Sequence, residues 1–283
     1  MRKNWLCMNK NIKMVAFDLD GTLLDSEKRI SDYTRTVLEK AIAQGIVVIP
    51  ATGRPIIGLP EEVRNFPGIK YAVTSNGARI VDVQTNETVF ESSLSVETAV
   101  KVLEVLEDYD CHREIIIDTS YYANEDTLQL IHDYHRQRSL GEYTQKTRIP
   151  VADVKKKALD TGKPLEKVHA VFKHDEELNA AKIRLDQIEG IVAANAVGNN
   201  WEINREGTDK GNALLDLGKI LGIAREEIMA FGDGMNDYEM IKKVGVGVVM
   251  ENGESELKEI ANYICETNDE HGVAKTIERF VLR

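Results

Sequence analysis

The stretch Val15-Ala16-Phe17-Asp18-Leu19-Asp20-Gly21-Thr22-Leu23-Leu24 decides how this chain is interpreted. An apolar run ends in two carboxylates two positions apart, and Gly, Thr and further apolar residues follow. Side chains two apart in an extended segment point the same way, so Asp18 and Asp20 can act on one substrate or help hold one metal ion. Taken alone, the same residues also fit a strand that ends in a turn stabilised by Asp and Gly.

The composition is that of a globular protein and argues against several classes of partner. The chain has 283 residues, of which 42% are hydrophobic and 29% charged, and its formal net charge is -11. This acidic balance disfavours nucleic acid and anionic membranes, because both call for a basic face. No apolar run approaches the roughly 18 residues of a spanning helix, and the polar N-terminus lacks the apolar core of a signal peptide. Three isolated cysteines (Cys7, Cys111 and Cys265) fit a reducing cytoplasm.

Short apolar runs alternate with helical patterns towards both ends of the chain. Strands are predicted at residues 14–17, 46–49, 71–73, 228–231, 246–249 and 263–265. Amphipathic helical stripes lie between most of them, for example from Tyr33 to Ile42. This βαβ rhythm predicts an α/β fold in which a parallel sheet is covered by helices on both faces.

The middle of the chain has a complete strand and helix rhythm of its own. Strands are predicted there at residues 115–117, 121–122, 168–172 and 191–194. A weakly patterned polar stretch contains three consecutive lysines at 155–157, which we interpret as a solvated face. We therefore expect residues 89–196 to form an inserted α/β domain, while residues 1–88 and 197–283 form the main domain.

Three polar motifs directly follow predicted strands of the main domain. They are Asp18-Leu19-Asp20, Thr52-Gly53-Arg54 and Gly232-Asp233-Gly234-Met235-Asn236-Asp237. In an open parallel sheet, ligands bind outside the carboxyl ends of the strands. If these strands are neighbours, the three motifs meet in one place, and their common position is stronger support for a site than any one motif.

The residue types in these motifs suit phosphoryl transfer. The Asp18 carboxylate is ionised at neutral pH and can attack phosphorus without a partner base. Asp20 can protonate the leaving oxygen and later deprotonate water. Asp18, Asp233 and Asp237 supply the hard oxygen ligands that suit Mg²⁺, which would relieve the repulsion between carboxylates and a phosphate dianion.

Two further segments offer groups that bind phosphate. Thr52 supplies a hydroxyl and Gly53 an unhindered backbone N–H. Lys210 opens a predicted helix, whose N–H groups and dipole also favour an anion. Each segment alone has an ordinary alternative: a turn around Thr52, a surface position for Lys210, and a turn with a helix cap around Asp233.

Taken together and in order, these segments resemble the four motifs of the haloacid dehalogenase superfamily, over nearly the whole chain. Thr52-Gly53-Arg54-Pro55, Ser75-Asn76-Gly77-Ala78 and the inserted domain are similar to the Cof-type sugar-phosphate phosphatases. In that subfamily a cap domain of the C2 type, with α/β structure, closes over a Rossmann-like core. The resemblance therefore implies that residues 89–196 are a cap that sets substrate specificity.

The resemblance also implies a role for each residue of the site. Asp18 would be the nucleophile, Asp20 the general acid and base, and Thr52 and Lys210 ligands of the phosphate. Asp233 would bind Mg²⁺ directly, together with Asp18 and the backbone carbonyl of Asp20. Asn236 and Asp237 would position the phosphate and the water molecules on the metal. Arg54, Arg113, Tyr121 and Tyr122 are candidate contacts to the substrate, although they equally fit packing or surface positions.

We therefore expect a Mg²⁺-dependent phosphatase that acts on small phosphorylated metabolites, in particular sugar phosphates, through an aspartyl-phosphate. One alternative is a phosphomutase of the same superfamily, which keeps the phosphoryl group for a second hydroxyl. Another is a non-catalytic sensor of phosphorylated metabolites. A protein that had lost its activity should also have lost a site carboxylate, whereas Asp18, Asp20, Asp233 and Asp237 are all present. A P-type ATPase is disfavoured because the chain lacks spanning segments. Those pumps also resemble this motif but have Thr at the position of Asp20.

Overall fold

The computed structural model describes residues 11–195 and 198–282. The strands are β1 (Met14–Phe17), β2 (Val47–Pro50), β3 (Tyr71–Thr74), β4 (Arg79–Asp82), β5 (Thr88–Glu91), β6 (Cys111–Ile117), β7 (Ser120–Asn124), β8 (Ile149–Val151), β9 (Lys167–Phe172), β10 (Ile191–Ala194), β11 (Asn200–Arg205), β12 (Ile228–Gly232), β13 (Val246–Met250) and β14 (Tyr263–Cys265). The α-helices are α1 (Asp32–Ala43), α2 (Glu61–Arg64), α3 (Val96–Leu106), α4 (Glu125–Gln129), α5 (Ile131–Tyr134), α6 (Arg138–Thr147), α7 (Val154–Thr161), α8 (Asp175–Leu185), α9 (Lys210–Leu221), α10 (Tyr238–Lys243), α11 (Ser255–Ile260) and α12 (Gly272–Phe280). Among these helices, none combines the length and the apolar character that a bilayer crossing requires.

Five parallel strands form the main sheet, in the order β14-β13-β12-β1-β2. Successive residues of β1 pack on opposite faces of this sheet, as the period of two requires. Val15 and Phe17 join the apolar cluster that contains α1 and α12, whereas Met14 and Ala16 join the cluster that contains α9 and α10. The parallel sheet with helices on both faces confirms the predicted α/β class and its Rossmann-like core.

The predicted strand at residues 71–73 belongs to a separate small sheet. This strand, β3, pairs antiparallel with β4, and β5 completes the order β3-β4-β5. A single bridge between Ala51 and Val73 links β3 to the chain that follows β2. The sequence pattern does not reveal β4 and β5, because each has four residues and begins or ends in polar side chains.

The described chain divides into two compact units. The second unit comprises Glu91–Thr208, and the first comprises the chain up to Phe90 and from Asp209 onwards. The expected domain boundary between Ala196 and Val197 lies outside the described residues, as does the polar N-terminal segment at 1–10. The second unit continues to Thr208 because β11 pairs with β9 and β10.

The second unit is built on one six-stranded sheet, in the order β10-β11-β9-β6-β7-β8. Helices α3, α7 and α8 pack on one face and form an apolar core with alternate residues of the strands. The polar stretch around residues 155–157 is more ordered than its pattern predicts, since it forms α7. Lys156 is exposed as expected, but the Lys157 ammonium lies 4.5 Å from the centre of the Tyr122 ring.

Candidate active site

The carboxyl ends of β1, β2 and β12 lie side by side. Phe17, the last residue of β1, is in register with Pro50 of β2 and Phe231 of β12. The Asp18 amide continues the ladder and donates to the Phe231 carbonyl at 3.0 Å. The structure therefore brings the Asp18, Thr52 and Asp233 segments to the same edge of the sheet.

A buried lysine joins two of the predicted site carboxylates. Lys210 Nζ donates to Asp18 Oδ1 and to Asp237 Oδ1, each at 2.7 Å. All three side chains are buried, and Lys210 is fully so. Lys210 is the first residue of α9, where Asp209 caps the helix by accepting from the Asn212 amide at 2.8 Å. A lysine in this position is part of the site rather than the surface.

The third acidic residue, Asp233, is held through both its side chain and its backbone. Thr22 Oγ1 donates to Asp233 Oδ1 at 2.6 Å, and Asp237 Oδ2 accepts from the Asp233 amide at 3.0 Å. Gly21 makes this approach possible: its φ is +79°, and a Cβ atom there would lie 2.3 Å from Asp233 Oδ2. Glycine is therefore required at this position for two reasons: the backbone has a positive φ, and there is no space for a Cβ atom.

Burial, and then the crowding of negative charges, raises the pKa of two of the site carboxylates. Burial raises the pKa of Asp18 to about 7; Lys210 opposes the rise, and the Asp237 and Asp233 charges add to it. Burial, followed by the Asp237 charge, raises the pKa of Asp233 to about 6. Burial alone would lower the pKa of Lys210, but Asp18 and Asp237 raise it overall, so this side chain stays a cation.

These residues fit a divalent metal ion. One ligand atom from each of Asp18, Asp233 and Asp237 lies within 4.8 Å of the others. The donors are hard oxygens of the kind that Mg²⁺ prefers. Burial, together with repulsion between the carboxylates, raises the pKa values of Asp18 and Asp233 even with Lys210 nearby, so a further cation would favour their ionised forms.

The Thr52 loop lies beside a tight turn that the sequence motif Ser75-Asn76-Gly77 forms. The Asn76 amide donates to the Thr52 carbonyl at 3.0 Å, and Thr52 Oγ1 accepts from the Arg54 amide at 3.2 Å. Gly77 has a φ of +98°, and a Cβ atom on it would lie 2.3 Å from the Asp209 carbonyl oxygen. This turn therefore packs directly against the start of α9, where Lys210 lies.

The Asp20 carboxylate lies between two cations. Arg54 donates to Asp20 Oδ2 at 2.5 Å, and Lys28 Nζ donates to Asp20 Oδ1 at 2.8 Å. Burial alone would raise the pKa of Asp20, but the Arg54 guanidinium and the Lys28 ammonium lower it overall. Arg54, a candidate substrate contact, is thus an ion-pair partner of Asp20 in this structure.

Sequence reasoning missed two contributors to the site. Thr22 belongs to the quoted motif, and its position after Asp20 and Gly21 was the available signal for its contact with Asp233. Lys28 had no comparable signal, because it lies in a polar turn whose contact with Asp20 depends on the fold. Asn236 lies half-buried on the short 3-10 helix Met235–Asp237, next to Asp237.

The candidate contacts of the second unit do not form one cluster. Tyr121 is buried with the Arg148 guanidinium 3.7 Å from its ring centre. Tyr122 points to the opposite face and packs with the apolar core beneath α3, α7 and α8. Arg113 lies on the same face as Tyr122, where it donates to the Leu106 carbonyl at the end of α3 at 3.2 Å.

Comparison with known proteins agrees with this geometry. The sequence pattern of the haloacid dehalogenase-like hydrolase family matches residues 15–277. The chain is 30% identical over 272 residues to the 5-amino-6-(5-phospho-D-ribitylamino)uracil phosphatase YcsE of Bacillus subtilis, covering 96% of this chain and 97% of that protein.

Solved structures give the same result for the fold. A haloacid dehalogenase-like hydrolase from B. subtilis superposes with a TM-score of 0.82 at 26% identity, covering 95% of this chain and all of that one (100%). BT1666 of Bacteroides thetaiotaomicron, a phosphatase of the haloalkanoate (HAD) enzyme superfamily, superposes with a TM-score of 0.80 at 25% identity over 95% of each chain.

Proposed function

The chain belongs to the haloacid dehalogenase-like hydrolases and is a phosphoric monoester hydrolase, and from this premise we propose that it hydrolyses small phosphorylated metabolites through a phosphorylated Asp18. The observation that carries the proposal is the pair of 2.7 Å hydrogen bonds from Lys210 Nζ to Asp18 Oδ1 and Asp237 Oδ1. A nucleophilic carboxylate, a buried cation and metal-binding carboxylates thus share one network.

The reaction has two displacement steps at phosphorus. In the first, an Asp18 carboxylate oxygen bonds to phosphorus, the bond from phosphorus to the leaving oxygen breaks, and Asp20 gives that oxygen a proton. In the second, water attacks phosphorus and gives a proton to Asp20, the bond between phosphorus and Asp18 breaks, and inorganic phosphate leaves. Asp20 is thereby restored to its starting state.

The phosphate group is held by Lys210, by the Thr52 hydroxyl and the Gly53 amide, and by Asn236. Preorganised donors of this kind stabilise the charge that spreads over the phosphoryl oxygens in the transition state. Lys210 pays little reorganisation cost, because its ammonium is already fixed between two carboxylates. The fully buried position of Lys210 strengthens its attraction for a transferring phosphate.

The cofactor in this proposal is Mg²⁺, held by Asp18, Asp233 and the backbone carbonyl of Asp20, with Asp237 supporting the site. When bound, such an ion would neutralise phosphate charge and orient the group for in-line attack. Thr22 fixes the Asp233 carboxylate by its 2.6 Å hydrogen bond. A hydrogen bond of this kind orients a ligand and maintains its affinity for the metal.

We assign the second unit, Glu91–Thr208, the role of a cap that selects the substrate. All four phosphoryl-handling segments lie in the first unit, and the second has its own apolar core. Sugar phosphates are the favoured substrates, and the relative YcsE is named for a phosphoribityl compound. The acidic chain calls for no nucleic-acid partner, and its sparse cysteines support a cytoplasmic location.

The experiment is a phosphate-release screen over phosphorylated sugars and nucleotides, with 4-nitrophenyl phosphate as a generic substrate. We expect release with Mg²⁺, none after exhaustive chelation, and recovery when Mg²⁺ is restored. Release without any bisphosphate activator separates a phosphatase from a phosphomutase. Undiminished turnover in the chelated protein would contradict the metal requirement, and binding without turnover would favour a sensor.

The same screen tests the cap assignment through variants on the two faces of the second sheet. Tyr121→Phe should change the ranking of sugar phosphates more than it changes kcat/KM for 4-nitrophenyl phosphate. Tyr122→Phe and Arg113→Met should leave the ranking unchanged, because both side chains lie on the face that α3, α7 and α8 cover, opposite Tyr121. If Tyr121→Phe lowers kcat/KM equally for all substrates, Tyr121 does not take part in substrate selection.

A further inference from the structure

Resting on the proposed function, we infer that Lys28 is a positioning residue for Asp20, the acid and base of the reaction. Both oxygens of the Asp20 carboxylate carry a cationic partner. Lys28 Nζ lies 2.8 Å from Oδ1, and an Arg54 guanidinium nitrogen lies 2.5 Å from Oδ2. Arg54 belongs to the Thr52 loop, whereas Lys28 comes from a different segment, so the carboxylate is held from two directions.

The turn that carries Lys28 is well ordered by its own hydrogen bonds. The Lys28 amide donates to the Asp25 carbonyl at 2.9 Å, and the Asp25 amide donates to the Arg29 carbonyl at 3.0 Å. Asp25 Oδ1 accepts from the Glu27 and Arg29 amides, each at 2.9 Å. Lys28 has a φ of 64°, in the left-handed region that non-glycine residues seldom adopt. The turn therefore fixes where the Lys28 side chain begins.

A second segment of the first unit anchors this turn. Asp269 accepts from the Ser26 amide at 2.8 Å and from the Ser26 hydroxyl at 2.5 Å. Asn268 Nδ2 donates to the Leu24 carbonyl at 2.9 Å, just before the turn. Contacts from the chain before α12 thus hold the turn from which Lys28 reaches Asp20.

Holding the carboxylate in one orientation matters for both displacement steps. Asp20 must meet the leaving oxygen in the first step and the attacking water at the same apical position in the second. Contacts to both oxygens restrict rotation of the group, yet an ionised carboxylate has about four acceptor sites and keeps room for a further partner. Side chains that lock a catalytic group in this way improve its geometry without touching the substrate.

The size of the effect follows from exposure. The Lys28 side chain is 62% exposed and the Asp20 side chain 38% exposed, so solvent weakens their attraction. Exposed ion pairs contribute modestly to stability. We therefore expect Lys28→Met to lower the rate of the acid-dependent step by about three- to tenfold, well short of the effect of removing Asp20 itself. Lys28 also lowers the pKa of Asp20, so the loss of its charge alone would favour the protonated acid and raise this rate. A fall in rate therefore reports the lost orientation of the carboxylate.

The experiment compares two substrates of similar size that differ in their leaving group. 4-Nitrobenzyl phosphate releases an alkoxide that needs a proton, whereas 4-nitrophenyl phosphate releases a stable phenolate that does not. Lys28→Met should lower kcat/KM for the benzyl ester by about three- to tenfold and leave kcat/KM for the phenyl ester within about twofold. Lys28→Arg should recover the benzyl activity, because it restores a cation.

Two control variants separate this inference from the proposed function. Asp20→Asn should lower kcat/KM for the benzyl ester more than it lowers kcat/KM for the phenyl ester. If it lowers both equally, the acid role of Asp20 fails, and the proposed function fails with it. Arg29→Met, which removes an adjacent exposed cation that pairs with Glu27 instead, should leave both substrates unchanged. Suppose that Asp20→Asn shows this difference between the two esters. If Lys28→Met then lowers kcat/KM equally for both substrates, lowers it for neither or raises it for either, only the positioning role of Lys28 is overturned.

Discussion

Lys210 Nζ donates a hydrogen bond to Asp18 Oδ1 at 2.7 Å, although the two residues are 192 positions apart in the chain. The parallel sheet explains this contact. Asp18 follows strand β1, which lies between β12 and β2, and Lys210 starts the helix α9, which packs with Met14 and Ala16 of β1. The inserted unit separates the two residues in sequence only, and the sheet brings the Asp18 carboxylate and the Lys210 ammonium together.

Replacing Lys210 should cost more activity than replacing another lysine of the same helix. We expect Lys210→Ala to lower kcat/KM for 4-nitrophenyl phosphate by about 30- to 1000-fold, the equivalent of about 2–4 kcal/mol of transition-state stabilisation. Lys219→Ala is the matched control, because Lys219 is 77% exposed and pairs with Asp216. A folded Lys210→Ala protein with kcat/KM within threefold of wild type would show that Lys210 does not contribute to catalysis.

Alanine substitutions at Gly21 and Gly45 distinguish the effect of backbone strain from the effect of crowding Asp233. Both have a positive φ, +79° and +82°, but a Cβ atom at Gly45 would meet nothing within 4 Å. Alanine should therefore destabilise the fold at both positions by about 1–2 kcal/mol. Only Gly21→Ala should also reduce activity and weaken the response to Mg²⁺. Equal activity in the two folded variants would contradict the role given to the contact between Gly21 and Asp233.

The hydroxyl of Thr22 should affect the metal requirement specifically. Thr22→Val keeps the shape of the side chain and removes the 2.6 Å hydrogen bond to Asp233. We expect the Mg²⁺ concentration for half-maximal activity to rise by about 10- to 100-fold, with recovery of most activity at saturating Mg²⁺. Thr36→Val, in which an exposed helical hydroxyl is lost, is the control. An unchanged Mg²⁺ titration for Thr22→Val would argue that Asp233 is not a metal ligand.

The second unit should lose stability as the pH falls below about 6.5. Burial lowers the pKa of His135 from 6.5 to about 4; the charges of His169, His112 and Arg148 lower it too, and Glu114 opposes them. The unfolded chain therefore binds a proton at His135 before the folded chain does, so stability falls between pH 6.5 and 4. Within the described residues, His135 Nδ1 has no hydrogen-bond partner to stabilise a charge.

Hydrogen exchange of the β6 and β9 amides at pH 7, 5.5 and 4.5 measures this loss. Protection should decrease with falling pH in wild type and decrease less in His135→Gln. His174→Gln, which replaces an exposed histidine of the same unit, should behave as wild type. Protection that stays constant or rises as the pH falls would contradict the assignment.

The sequence identifies the strands of the main sheet because their residues are apolar on both sides. The predicted bounds of β1 and β14 agree with the structure, and those of β2 and β12 differ by one residue or fewer at each end. β11 was not predicted, since Asn200, Glu202 and Asn204 alternate with apolar residues but are themselves buried. These polar side chains make hydrogen bonds to neighbours on the sheet; Lys167, for example, donates to Glu202 at 2.5 Å. A rule based on the hydrophobic pattern places such polar residues in solvent.

The site shows a similar division between local and tertiary information. The carboxylates and Lys210 lie in short motifs at strand or helix ends, so their residue types indicate the chemistry. The contact between Lys28 and Asp20 and the placing of Arg113 against Leu106 depend on which segments the fold brings together. No local spacing encodes those contacts, which explains why sequence reasoning overlooked the first and left the second open.

The most direct test of the account is whether phosphate becomes bonded to Asp18. Wild-type protein is mixed with 4-nitrophenyl phosphate that carries a radiolabelled phosphoryl group, quenched rapidly in acid and digested. Asp32→Asn, which replaces an exposed carboxylate of the first unit, serves as the control. We predict covalent label on the peptide that contains Asp18 in wild type and Asp32→Asn, and neither label nor turnover in folded Asp18→Asn. Turnover by Asp18→Asn within tenfold of wild type, or equal labelling of that variant, would contradict the central claim.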